Sequence, residues 1–132
     1  MIAITPKEDW NWCCAEDAEG PPESRTVWVL GELREQDRVA LEDAVMIKQD
    51  PVTGAISGGM GTRVYITIRA GLRGIKEGSS FRDEDGKDIQ FARSHDGKVA
   101  DAFLDRIPWR VQQEMYVAIV ARLSMTVEEK EE

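Results

Sequence analysis

Cys13 and Cys14 stand side by side, His95 is the only histidine, and Asp83, Glu84, Asp85 and Asp88 crowd one short stretch; these are the residue types that could do chemistry in this chain. Thiols point to redox exchange or zinc, a histidine to proton transfer, clustered carboxylates to calcium. The spacing fails each of them. Adjacent cysteines rarely pair with each other, the redox motif is Cys-x-x-Cys, and two thiols with one histidine do not complete a zinc site. An EF-hand loop needs acids at alternate positions, a glycine and then a glutamate, and Asp83-Glu84-Asp85-Gly86 is spaced differently. His95 has no serine or cysteine in a nucleophile-like motif to serve, so no general base follows from it. Gly58-Gly59-Met60-Gly61 lacks both the Lys-Ser/Thr that follows in a P-loop and the strand that precedes a dinucleotide-binding motif, and reads as a connection. The expectation is a chain with no catalytic residue, no metal site and no cofactor, one that works by binding.

The surface for binding is expected on the last helix. Its apolar run, Met115-Tyr116-Val117-Ala118-Ile119-Val120-Ala121, lies in a segment that reads as a helix from Pro108 to about Leu123, ahead of the acidic ending Glu128-Glu129-Lys130-Glu131-Glu132. A surface helix carries one apolar stripe, whereas this one is apolar nearly all round for two turns. A small domain has little interior to bury such a helix on every side. Part of the surface is therefore expected to meet a partner, with Trp109, Tyr116 and Val120 as the residues facing it.

The elements that must position this helix follow from pattern. A length of 132 residues suits one domain. Residues 1–24 read as an extended arm, 25–124 as a single α+β domain and 125–132 as an acidic tail. Arg25 to Leu33 is the best strand, with Val27, Val29 and Gly31 on one face and Trp28 and Leu30 on the other. Arg34 to about Ile47 reads as a helix. The loop from Asp50 to Gly61 allows a short hairpin through Thr53-Gly54. Thr62 to Gly74 reads as a helix with those two residues as its caps. Asp85-Gly86, between Phe81 and Phe91, signals a hairpin with a type I′ turn, and His95-Asp96-Gly97-Lys98 a second turn. Ile107 is placed to staple onto Val111 in the first turn of the last helix. Trp10 and Trp12 alternate around Asn11, so both rings can face one side and pin the arm down. The predicted architecture is a small antiparallel sheet from strand 25–33, hairpin 81–92 and, as a further candidate, the arm, packed by about three main helices. The predicted core is Val27, Val29, Leu33, Leu41, Val45, Ile68, Leu72, Phe81, Phe91, Phe103, Ile107, Met115, Ile119 and Leu123.

Charge narrows the partners. Seventeen basic against 25 acidic residues give a formal net charge of −8. Nucleic acid and anionic membranes need clustered Lys and Arg, so neither is expected as a partner. No apolar stretch approaches a membrane span, and the first residues lack the basic and apolar regions of a signal peptide, so the cytoplasm is the expected compartment.

Taken in order, the strand, the helix REQDRVALEDA, the Gly-rich connection, the helix ending AGLRGI, then FRDEDGKDIQF and LDRIPWRVQQEMYVAIVARLSMTVEE resemble the small tail assembly chaperones of long-tailed bacteriophages. The residues that carry the resemblance are Phe81-Arg82-Asp83, Asp85-Gly86, Phe91, Leu104-Asp105-Arg106-Ile107-Pro108 and Ser124-Met125-Thr126-Val127-Glu128-Glu129. It covers roughly residues 25–130 and leaves out Trp10, Trp12 and the cysteine pair. The resemblance implies a protein that coats the tape measure protein, keeps it soluble, and helps recruit tail tube protein subunits; self-association is compatible with it. It also implies a longer product made by ribosomal frameshifting. Two other readings stay open on the residues: another phage interaction protein, such as a neck or head-completion component or an inhibitor of a host defence system, and an enzyme built from carboxylates scattered in sequence.

Overall fold

Tryptophan and leucine on either side of a valine, Trp28-Val29-Leu30, form the middle strand of a three-stranded antiparallel sheet. The computed structural model describes residues 1, 8–44, 48–49, 51–57 and 59–131, and of residues 48, 56–57 and 123–131 the backbone alone. In chain order the elements are β1 (Trp10–Trp12), α1 (Ala15–Glu19), β2 (Trp28–Leu30), α2 (Glu35–Asp43), β3 (Lys48–Gln49), β4 (Ile56–Ser57), α3 (Met60–Gly71), β5 (Leu72–Ile75), α4 (Asp101–Leu104) and α5 (Trp109–Glu131), with a 3-10 turn at Pro22–Ser24. The fold is α+β, as the pattern predicts.

The sheet runs β1-β2-β5, and its membership differs from the expectation. The arm does contribute: Trp10 pairs with Leu30, Asn11 with Val29 and Trp12 with Trp28. The third strand is not the hairpin 81–92 but β5, which follows α3 without a break and pairs Trp28 with Ile75 and Leu30 with Leu72. Helix α3 therefore ends at Gly71, and Gly74 is a strand residue, not a cap. Gly71 itself has a packing role: a Cβ there would lie 2.7 Å from Ile119 Cδ1 of α5, so glycine lets the two helices approach. Thr62 is inside α3, whose N-cap is Gly59 at φ 87°. The short hairpin through Thr53-Gly54 is present as β3 and β4, pairing Lys48 with Ser57 and Gln49 with Ile56.

The face of β2 that points inward is the reverse of the one expected. Trp28 and Leu30 are buried, while Val27 and Val29 are only half-buried. The larger side chains win the interior, because burying them removes more apolar area from water. Trp28 meets Phe81 at 5.1 Å and Phe103 at 6.2 Å between centroids, and Phe91 meets Phe103 at 5.2 Å. Phe81 and Phe91 thus anchor the stretch between them to this aromatic cluster from its edge. Leu33, Leu41, Ile68, Leu72, Phe103, Ile107, Met115 and Ile119 are buried as predicted, and Val64, Val99, Leu104, Val111 and Cys14 join them. Val45 and the side chain of Leu123 lie outside the described residues. Helix α3 lies against both α2 and α5.

Two consecutive turns repeat one design at a spacing of eleven residues. In the first, Gly86 donates its N–H to Asp83 O (3.0 Å) and Asp83 donates to Lys87 O (2.9 Å); in the second, Gly97 donates to Ser94 O (2.9 Å) and Ser94 to Lys98 O (2.8 Å). Bridges Arg82–Asp88 and Arg93–Val99 close the two loops. Gly86 and Gly97 have φ of 79° and 83°, and among the described residues no non-glycine has positive φ. The Asp85-Gly86 turn is therefore not type I′, which would need Asp85 at positive φ as well. The Asp83 carboxylate replaces that geometry, accepting the N–H of Asp85 (2.9 Å) and of Lys87 (3.0 Å).

The arm is fastened by Arg25. Its Nε donates to Asp17 O (2.9 Å), and its Nη2 to Ala18 O (2.8 Å) and Gly20 O (3.1 Å), so a cation sits on the carbonyls at the end of α1. Asp17 in turn accepts the N–H of Thr26 at 3.0 Å. Nearer the start of the arm, the guanidinium of Arg122 covers the Trp10 ring at 4.5 Å.

Candidate functional site

Helix α5 buries one side and bares the other. Val111, Met115, Tyr116 and Ile119 face the core at helical spacing, and Ile107 just before them is buried as a staple partner of Val111 should be. Trp109 is 49 % exposed and Val117 63 % exposed; with Gln113 between them they form one outer stripe at intervals of four residues. Beside this stripe the arm supplies a second wall. Trp12, Cys13 and Ala15 face Gln113, Glu114, Val117 and Ala118 across an open, mostly apolar groove of about 520 Å³.

The three residues expected to face a partner are not brought together. Trp109 is on the surface, as expected. Tyr116 is 8 % exposed and lies in the core, with Arg63 of α3 over its ring at 5.8 Å. Val120 is half-buried against the core. The reason is the azimuth of α3: it covers the side of α5 that includes Tyr116 and leaves Val117, one residue and about 100° further round, in the open. A helix apolar all round gives no sign in its own sequence of which side its neighbour will take. The arm's contribution was likewise hidden, because Trp12 and Cys13 reach α5 only through the pairing of β1 with β2.

A second concavity of about 430 Å³ lies where α1 meets the start of α5. Trp28, Phe81 and Val111 contribute apolar surface, while Glu16, Asp17, Glu23, Arg82 and Arg110 supply charge of both signs. Arg110 and Glu16 form an ion pair between the two helices. Cys14 borders this concavity and Cys13 the apolar groove, so the adjacent thiols serve different surroundings. Burial pushes the Cys14 thiol above its ordinary pKa, and the nearby Asp17 and Glu114 charges add to it. That is the opposite of what a reactive thiolate needs.

His95 and the acids Glu84, Asp85 and Asp88 are exposed on the turns. Among the described residues no group of three or more His, Cys, Asp or Glu is arranged to hold a metal ion. Among them, too, no helix is long and apolar enough to cross a membrane. No family model, curated protein or solved structure matches this chain.

Proposed function

We propose that the chain is a tail assembly chaperone of the kind found in long-tailed bacteriophages, acting without catalysis in the host cytoplasm. It covers the tape measure protein, a long amphipathic helical polypeptide, keeps it soluble and helps recruit tail tube subunits. The observation that carries the reading is the outer stripe of α5, Trp109 and Val117, beside the groove walled by Trp12 and Ala118. An amphipathic helix can lay its apolar face into such a groove, as in helix-in-groove recognition. The order of sequence segments from strand 25–33 to the SMTVEE ending supports the same family. A formal charge of −8 would keep a loaded complex dispersed in solution.

The test is co-expression of the tagged protein with the tape measure and tube genes of its own neighbourhood. Recovery of soluble tape measure protein with the tagged chain is the expected result. Val117→Asp should abolish that recovery while its circular dichroism and melting temperature stay at wild-type values. If the Val117→Asp chain still recovers the partner in full, the groove is not the interface. Recovery of a neck, capsid or host-defence protein in place of the tape measure protein would overturn the family reading itself.

A further inference from the structure

The tip of the second turn docks against the start of α2, the end of α3 and β5, and at that junction five cations gather in a chain whose net charge is −8. Arg34, Arg69, Arg73, Arg93 and Lys98 line one small cleft of about 80 Å³, with Asp37 and Asp96 as the acids among them. Three of the five meet carboxylates: Lys98 Nζ with Asp37 Oδ1 (2.8 Å), Arg69 Nη2 with Asp96 Oδ2 (2.8 Å) and Nε with Asp101 Oδ1 (3.6 Å), and Arg73 Nε with Asp9 Oδ1 (3.8 Å). The other two keep their charge. Arg93 donates to the carbonyls of Gly97 (2.7 Å) and Arg73 (2.6 Å), which are neutral. Arg34 is exposed, and its side chain meets no carboxylate among the described residues. Arg73 is likewise held by carbonyls, of Ala70 and Glu32 at 2.7 Å each. Arg93 is thus held in place by neutral carbonyls and Arg34 stands free of any carboxylate among the described residues, so both charges are left over for something else.

We infer that this cleft binds a small oxyanion of the phosphate class. Planar guanidiniums match tetrahedral oxyanions through paired N–H donors, and ones already held in position lose little freedom on binding. The cleft's size admits a single head group. A positive spot on an otherwise acidic surface also concentrates anions locally, an effect that weakens as salt rises. The inference is independent of the chaperone reading, since the cleft is built from elements other than α5.

The experiment is a titration of the intact protein with inorganic phosphate at constant ionic strength, followed by amide resonances of Arg34, Gly97 and Lys98. Saturable shifts at these amides are expected. Arg34→Glu, on a side chain that holds nothing in place, should weaken binding at least tenfold with the spectrum otherwise unchanged. Arg106→Glu, an exposed change of the same charge outside the cleft, should leave it unaltered. Shifts that grow linearly without saturating, or an equal loss in both variants, would overturn the site. A parallel titration with O-phosphoserine separates the sources: tighter binding than phosphate points to a phosphorylated side chain, equal or weaker binding to free phosphate.

Discussion

At the scale of single residues, burial decides which side chains are passive. Cys14 is buried and its thiol sits above its ordinary pKa. A disulfide reagent at pH 8 should modify Cys13 in the native protein and reach Cys14 only on unfolding. Because the folded pKa exceeds the unfolded one, Cys14 contributes stability in full below the unfolded value, about 8.5, and loses it as pH rises through the folded value; urea midpoints measured from pH 7 to 10 should fall on the alkaline side. Asp96 behaves in the opposite sense. The Lys98 N–H and then the Arg69 guanidinium hold its carboxyl below the ordinary value, so any stability it adds is present above the unfolded pKa and lost as pH falls through the folded one. Its carboxyl resonance should titrate lower than that of a free aspartate, and Arg69→Gln should return only part of the difference. The Lys98–Asp37 pair is unequal: the Asp37 side chain is 9 % exposed and that of Lys98 is 41 % exposed. Lys98→Ala strands a buried carboxylate and should cost about 1–3 kcal/mol, whereas Asp37→Ala frees an amine that reaches water and should cost less; urea denaturation of both variants measures the asymmetry.

At the scale of elements, the two halves of α5 predict opposite mutants. Tyr116→Ala should cost about 3–5 kcal/mol, the range for a large aromatic truncated in a core, while Val117→Ala should change stability by less than about 0.5 kcal/mol, as surface substitutions do. The sequence pattern places the start of α5 correctly but ends it near Leu123, whereas the helix runs on through most of the acidic segment to Glu131; its apolar run does not say which residues stay outside. Only the neighbour settles that, and α3 reaches Tyr116 from elements distant in sequence. The same limit hid the face of β2. With Val27, Trp28, Val29 and Leu30 all apolar, alternation carries no information, and the aromatic cluster of Phe81, Phe91 and Phe103 selects Trp28. Strand β5 was illegible because Leu72-Arg73-Gly74-Ile75 continues a helical spacing; only its pairing with β2, Leu72 with Leu30 and Ile75 with Trp28, marks it as a strand. The Asp-Gly signal was sound for a turn and wrong for its type, because Asp83 satisfies the loop through its carboxylate. Gly86→Ala and Gly97→Ala should each cost about 1–2 kcal/mol for placing a Cβ in left-handed backbone, read from their unfolding midpoints.

At the scale of the whole molecule, the arm is built into the domain's sheet and core. β1 lies on the edge of the sheet, Cys14 is in the core, and Arg122 covers Trp10. A chain lacking residues 1–14 should therefore lose its cooperative unfolding transition, a result that calorimetry would give directly. The cleft of arginines was missed in the sequence for the same long-range reason: Arg34, Arg69, Arg73 and Arg93 lie just before α2, in α3, in β5 and in a loop, and only the docking of the second turn collects them. That α5 closes the core also gives synthesis a schedule. A ribosome adds about 5–20 residues per second, so for some seconds after Leu72 has been made, the face of α3 that carries Val64 and Ile68 waits for Met115 and Ile119 to emerge. During that interval the nascent polypeptide displays the kind of bare apolar helix that aggregates, and slowing translation ahead of residue 109 should lower the yield of native protein.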